Sequence, residues 1–249
     1  MNVFDTAAVL IAIAALTGYD HPKIPSLLLE SWSSQTPEVR NKVLTGLLSR
    51  EHWTRSLLDA IEAEQIPSNQ IDPKRRELLM SHSDEAIRAR AVTLFDSQAP
   101  GPRQEVLAGY QAALTLTGDR TRGETVYRRE CIKCHRLSST EHLIGPNLIM
   151  GSYKDPEPLL TNILDPNRFV EPQYLQYVVT DKKRRLFTGI LTDQTAMSVT
   201  LLEGEDLQNT ILRKDVLEIR ATGKSLMPEG LEENVSHQEM ADLLKFILD

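Results

Sequence analysis

Residues 123–135 read GETVYRRECIKCH, with Gly123, Val126 and Tyr127 at helical spacing ahead of Cys131-Ile132-Lys133-Cys134-His135. That small-plus-apolar face predicts a helix packed closely on another helix and ending where the cysteines begin. Cys131 and Cys134 are the two cysteines of the 249-residue chain, too few for a disulfide scaffold. Their spacing has a mechanical meaning. Two thiols three residues apart on a helical turn can add to the two vinyl groups on one edge of a porphyrin. The adjacent histidine then projects under the ring toward the iron. C-x-x-C-H is the attachment signature for c-type haem, and at ordinary residue frequencies it arises by chance in roughly one chain of this size in a thousand.

Two other chemistries use paired cysteines. A redox dithiol requires a thioredoxin-like βαβ context, whereas residues 123–129 read as helix. A zinc site requires four ligands, and beyond Cys131 and Cys134 the sequence offers His135 and His142 but no second cysteine pair. Haem c is therefore the expected cofactor.

The segments downstream supply the remaining ligand chemistry. In Gly145-Pro146-Asn147-Leu148, Pro146 lacks an N–H but keeps a carbonyl able to accept the Nδ1–H of His135, fixing the tautomer and strengthening Nε2 as a donor. Met227 is the candidate sixth ligand. A thioether is a soft donor, and Pro228 biases Met227 toward extended backbone, suited to a loop lying over a haem edge. Met150, Met197 and Met240 are expected to be core residues. Met150, two residues beyond Leu148, is the rival methionine, His142 and His237 are the rival histidine ligands, and without any sixth ligand the iron would be open to small molecules.

Residues 1–97 carry helical patterns and no strand signal. Thr36-Pro37-Glu38 is a helix start, followed by Val39, Val43, Leu44, Leu47 and Leu48 at core spacing. Trp53, Leu57, Leu58 and Ile61 form a second face. Asp72-Pro73 opens a third helix, and Ser83 is expected to cap a fourth bearing Ile87, Ala91, Val92, Leu94 and Phe95. His21, His52 and His82 stand alone and read as surface or capping residues. The run Ala7–Leu16, AAVLIAIAAL, is about half the ~20 residues that span a bilayer. With Asp5 and no Lys or Arg ahead of it, it reads as a buried helix rather than an export signal.

Gln98-Ala99-Pro100-Gly101-Pro102 breaks the helical pattern as a linker, and a docking helix is expected at 103–116. The period then switches. YLQYVVT (174–180), RLFTGILT (185–192), TAMSVTLL (195–202), QNTILR (208–213) and VLEIR (216–220) alternate as strands do, separated by polar turns. Five such runs suggest a small antiparallel barrel of the SH3 or Sm kind. The basic run Lys182–Arg185 falls on a hairpin and reads as a solvated turn. A final helix carries Met240, Leu243, Leu244, Ile247 and Leu248 at core spacing.

Charge excludes one partner class. The net charge of −7 is evenly spread, with 10 basic and 13 acidic residues in 1–100 and 18 and 22 in 101–249, so nothing draws the chain to a phosphate backbone.

From Gly118 to Asp249 the chain resembles a class I cytochrome c: helix, CIKCH, GPNL, a late Met-Pro and a closing helix in that order. More narrowly it resembles the haem-binding domain of planctomycete and verrucomicrobial proteins, which adds ILDPNRFVEPQY (163–174), a β insert and GKSLMPEGL (223–231). Residues 1–97 resemble degenerate HEAT-type repeats. The implied organisation is mainly α with a β insert: a HEAT-like domain at 1–97, a linker and docking helix at 98–117, and a cytochrome c-like haem domain at 118–249 carrying the barrel at about 174–221. The resemblance implies Cys131 and Cys134 as thioether anchors, His135 as proximal iron ligand, Pro146 as its carbonyl partner and Met227 as distal iron ligand. The separation of 92 positions from His135 to Met227 exceeds the spacing of a small cytochrome, and the strands lie in that gap. The implied activity is one-electron transfer rather than enzymatic turnover. The redox partners would be a dehydrogenase donor and a downstream acceptor, in a periplasmic or equivalent compartment. A haem-based sensor or peroxidase-like site is the alternative if the sixth position is open. No membrane span and no nucleic acid are expected.

Overall fold

The structure, a computed structural model, describes residues 6–95, 103–135, 144–148, 155–204 and 207–249. The chain divides into two compact units. One holds Met1–Gln98, Phe169–Leu202 and Gln208–Lys224; the other holds Ala99–Arg168, Glu203–Leu207 and Ser225–Asp249.

In the first unit six helices precede the sheet: α1 (Thr6–Thr17), α2 (Ile24–Leu29), α3 (Pro37–Leu47), α4 (Glu51–Glu62), α5 (Pro73–Met80) and α6 (Glu85–Phe95). Two begin as their sequences dictate. Thr36 accepts from Val39 N at 3.3 Å and Asp72 from Arg75 N at 3.0 Å, each ahead of a proline at the first helical position. The cap of α6 is Asp84 rather than Ser83: the Asp84 carboxylate accepts from Ile87 N at 2.9 Å and also pairs with Arg55. A carboxylate next to the helix N-terminus gains from the dipole as well as the hydrogen bond, which a hydroxyl one residue earlier does not. Trp53, Leu57, Leu58, Val43, Leu47, Ile66 and Ile87 fill one apolar core.

α1 is a helix, but the expectation that it is buried is corrected. Ile13 alone is fully buried, and Ile11 is 70% exposed. Its residues are apolar on every side, so packing on α3 can cover only one of them. The isolated histidines behave as expected: His21 and His82 accept backbone N–H groups in their own turns, and His52 pairs with Asp20.

The five strands are β1 (Leu175–Asp181), β2 (Leu186–Gln194), β3 (Ser198–Gly204), β4 (Leu207–Leu212) and β5 (Val216–Ser225). They form one antiparallel sheet in the order β4-β3-β2-β1-β5, with Tyr177 opposite Gly189 and Leu191 opposite Leu201. The expected barrel is corrected to an open sheet: among the described residues β4 and β5 are its two edges and do not pair. Leu175, Tyr177, Val179, Val199 and Leu201 fill one face. Tyr177 donates to Gln35 O at 2.8 Å and Val170 N donates to Asn69 O at 3.2 Å, so the sheet shares its unit with the helices of residues 6–95. Between them lies Arg40, 1% exposed. Its guanidinium donates to Trp32 O, Ser33 O and Gln70 Oε1 at 3.0–3.1 Å and stacks between the rings of Trp32 and Tyr177. The basic hairpin 182–185 is an exposed turn organised by Asp181, which accepts from the Lys183 and Arg185 amides at 2.9 Å. Met197, expected in the core, is 75% exposed at the turn between β2 and β3.

The second unit holds α7 (Gln104–Tyr110), α8 (Arg120–Glu130), α9 (Pro156–Leu164) and α10 (His237–Leu248). The single helix expected at 103–116 becomes α7 followed by a 3-10 segment, Gln111–Thr115. Leu107, Val126, Tyr127, Leu160, Met240 and Leu244 share one core. The linker at 98–102, with His142 and Met150, lies outside the described residues. Among those residues no helix is long and apolar enough to cross a membrane.

Candidate functional site

The platform of the site is the crossing of α8 and α10. A Cβ on Gly123 would lie 1.9 Å from Asp242 O and 2.8 Å from Phe246 Cβ, so the helices touch backbone to backbone there. Asp242, 1% exposed, locks the crossing. Its carboxylate accepts from Asp119 N at 2.7 Å, Arg122 Nε at 2.7 Å and Gln238 Nε2 at 3.0 Å. The Arg122 guanidinium, then the Asp119 amide, hold this carboxyl below the usual aspartate range against the opposing effect of burial. α10 begins with a capping box, Ser236 and Glu239 exchanging hydrogen bonds.

α8 ends at Cys131, and the chain turns at once. Cys131 N and Ile132 N both donate to Tyr127 O, and His135 N returns to Cys131 O at 2.9 Å. This turn brings Cys131, Cys134 and His135 onto one short stretch of backbone. Tyr127, with its ring fully buried, donates its hydroxyl proton to His135 O and so fixes the end of the turn from below. Neither cysteine is in a disulfide, and both are half-buried. Burial first, then the neighbouring Glu130 and Cys134, push the Cys131 thiol up to about 12. A thiol held protonated is a poor attacker in disulfide exchange, which argues against a redox dithiol. Among the described residues no three acids, histidines or cysteines cluster as a metal site.

His135 is 8% exposed, and its Nδ1 lies 2.8 Å from Pro146 O. The carbonyl takes the Nδ1–H, which leaves the Nε2 lone pair free. Burial holds the imidazole below its ordinary value, with the Pro146 bond opposing, so the ring is neutral at pH 7, as a metal ligand must be. The loop carrying Pro146 is tied to the turn by Gly145 N donating to Cys134 O at 3.1 Å. Gly145 lies flat against the ring: a Cβ there would be 2.3 Å from His135 Cε1 and 2.7 Å from Nδ1. Sequence reading found Pro146 but missed Gly145. The signal was a glycine directly before the proline whose carbonyl accepts the Nδ1–H.

Met227 is half-buried and packs against the same apolar core as Cys131 and Ile132. The rival His237 is exposed at the first turn of α10, where its ring meets Tyr110 edge-on at 4.5 Å. Met240 is fully buried in the core, as expected.

The donor set fits a covalently held haem. It offers two thiols outside any disulfide on one turn, a neutral imidazole with Nδ1 already engaged, a glycine cradle behind the ring, and a thioether in the same apolar cluster. Comparison with known proteins adds no family to this geometry. No family model matches the chain. Nor does any curated protein match it at a significant level.

Proposed function

We propose that the chain is a c-type cytochrome module. In this reading haem is attached through Cys131 and Cys134 and ligated by His135 and Met227, and single electrons pass from a partner or parent dehydrogenase to a downstream acceptor protein. One observation carries the reading: a buried, neutral His135 directly after the cysteine pair, its Nδ1 bound to Pro146 O and its face backed by Gly145. A surface or core histidine has no need of all three.

Haem would supply a one-electron iron couple. The chain's own residues do the rest. Cys131 and Cys134 anchor the group, and Tyr127 and the α8–α10 crossing hold their turn rigid. Pro146 fixes the His135 tautomer and raises the basicity of Nε2. The apolar surroundings of Cys131, Ile132 and Met227, together with thioether ligation, favour a raised potential. Met227 in that cluster favours a closed sixth position over a sensor or peroxidase-like site. No substrate chemistry is assigned to this chain. The paired helices of residues 37–95 support a HEAT-like stack, with the sheet beside it as a scaffold. An extracytoplasmic compartment follows from the cofactor, because bacteria complete thioether attachment outside the cytoplasmic membrane.

Co-expression with haem-attachment machinery in a bacterial periplasm, followed by pyridine haemochrome spectra and voltammetry, tests the reading. A c-type haemochrome with one reversible one-electron wave is expected. A haem-free product under conditions that load a control cytochrome would refute it.

A further inference from the structure

The segment Ser225–Glu229, which carries Met227, is tethered at both ends by one upstream side chain. Asn167 Oδ1 accepts from Ser225 N at 2.8 Å, and Asn167 Nδ2 donates to Glu229 Oε1 at 2.6 Å. Ser225 passes the restraint inward, its Oγ accepting from Met227 N at 3.1 Å. Asn167 is itself presented by a tight turn after α9, in which Arg168 N returns to Asp165 O at 3.1 Å. Beyond Glu229 the chain is pinned again, by Arg103 on Glu232 and by Tyr110 Oη, 2.9 Å from Glu232 O. Both bonds of Asn167 need a carboxamide, since a carboxylate has no donor for Glu229 and a hydroxyl is too short to bridge the two.

We propose that Asn167 is the positioning residue for the Met227 thioether, its two-point tether keeping the sixth iron position closed. This inference rests on the cytochrome reading above. It names the residue that separates a closed electron-transfer site from one open to small ligands. Asn167 acts through the Ser225 amide and the Glu229 carboxylate, at the two ends of the segment that carries Met227.

The test uses the full chain loaded with haem in the periplasm, as wild type, Asn167→Leu, Asn167→Asp and Asn167→Asp with Glu229→Gln. The readouts are covalent haem content, the weak methionine–iron band of the oxidised protein, carbon monoxide binding to the reduced protein, and hydrogen exchange at Ser225 N. Wild type should show the band and bind carbon monoxide slowly. Asn167→Leu should keep its haem, lose most of the band, and show carbon monoxide binding and Ser225 exchange faster by at least about tenfold, the weight of one lost hydrogen bond. Asn167→Asp keeps the acceptor for Ser225 but faces the Glu229 carboxylate, so it should fall between. Adding Glu229→Gln restores that bond with donor and acceptor exchanged and should recover most of the wild-type behaviour. If Asn167→Leu does not accumulate, the aspartate variant and its rescue decide the matter. Variants matching wild type would overturn the role of Asn167 and leave the cytochrome standing. Wild type with haem but without the band would overturn both Asn167 and Met227 and leave the attachment site. Wild type without haem would refute the cytochrome itself.

Discussion

Gly145→Ala probes the seat of His135 with a single methyl group. Gly145 does not adopt a positive φ, so its backbone tolerates alanine and any penalty must come from what the new Cβ meets. It meets the imidazole at 2.3 Å from Cε1, 2.7 Å from Nδ1 and 2.9 Å from Nε2, where carbon contacts ordinarily begin near 3.5 Å. The ring must retreat by about 1 Å. Neither backbone can give instead, because Gly145 N is bonded to Cys134 O and Tyr127 holds His135 O. Because Gly145 lies on the face of the ring, a retreat of that size runs across the plane of the 2.8 Å Nδ1–Pro146 bond and lengthens it only to about 3.0 Å, bent but kept. Overpacking of this kind costs about 1–3 kcal/mol, to which the bent bond adds only a fraction of about 1 kcal/mol. Urea unfolding of the haem-free protein measures this directly. The same measurement in a His135→Ala background isolates the ring, since the penalty should largely vanish once the imidazole is gone. A loss below about 0.5 kcal/mol, or an equal loss in both backgrounds, would refute the packing argument.

Other outcomes follow from the same geometry. Gly123→Ala drives a Cβ into the Asp242 backbone and should destabilise by about 3 kcal/mol, while Gly109→Ala, with nothing within 4 Å, should be neutral or slightly stabilising in chemical denaturation. Asp242 has a depressed pKa, so its contribution is complete above the unfolded value near 4 and is lost as pH falls through the lower folded value. Asp242→Asn should therefore be less stable than wild type at pH 7, and the gap should narrow steadily below about pH 4; a gap independent of pH would contradict the ion pair. Arg40→Met takes from Ser33 O its guanidinium donor and leaves Trp32 O with the Gln35 amide alone, and should cost on the order of 2 kcal/mol, with Arg40→Lys only partly better because an ammonium cannot reach three acceptors in a plane. Calorimetry on the three proteins would expose an error if the lysine variant matched wild type.

The local part of this fold was legible because its signals are local. Thr36-Pro37 and Asp72-Pro73 begin helices through side chains three residues from the amides they cap, and period-2 alternation located all five strands. Pro146 was legible because C-x-x-C-H implies a carbonyl partner for the histidine. Features that depend on distant residues were not. Whether five strands close into a barrel turns on pairing between β4 and β5, and alternation within a strand carries no information about that. The placement of the sheet with the first helices depends on Arg40, Gln35 and Tyr177 meeting across more than a hundred residues. The exposed side of α1 could not be read from a helix apolar all round. Asn167 stands in the run 163–174, and nothing in the sequence links it to Ser225 and Glu229.

The central claim is that Cys131 and Cys134 hold a haem whose iron is bound by His135. Intact and peptide mass of the periplasmically matured protein, with and without thiol alkylation, tests it most directly. One added haem mass, carried on the peptide containing residues 131–135 with neither cysteine open to alkylation, is the predicted result. Two alkylatable thiols and no added mass, beside a control cytochrome loaded in the same cells, would contradict it.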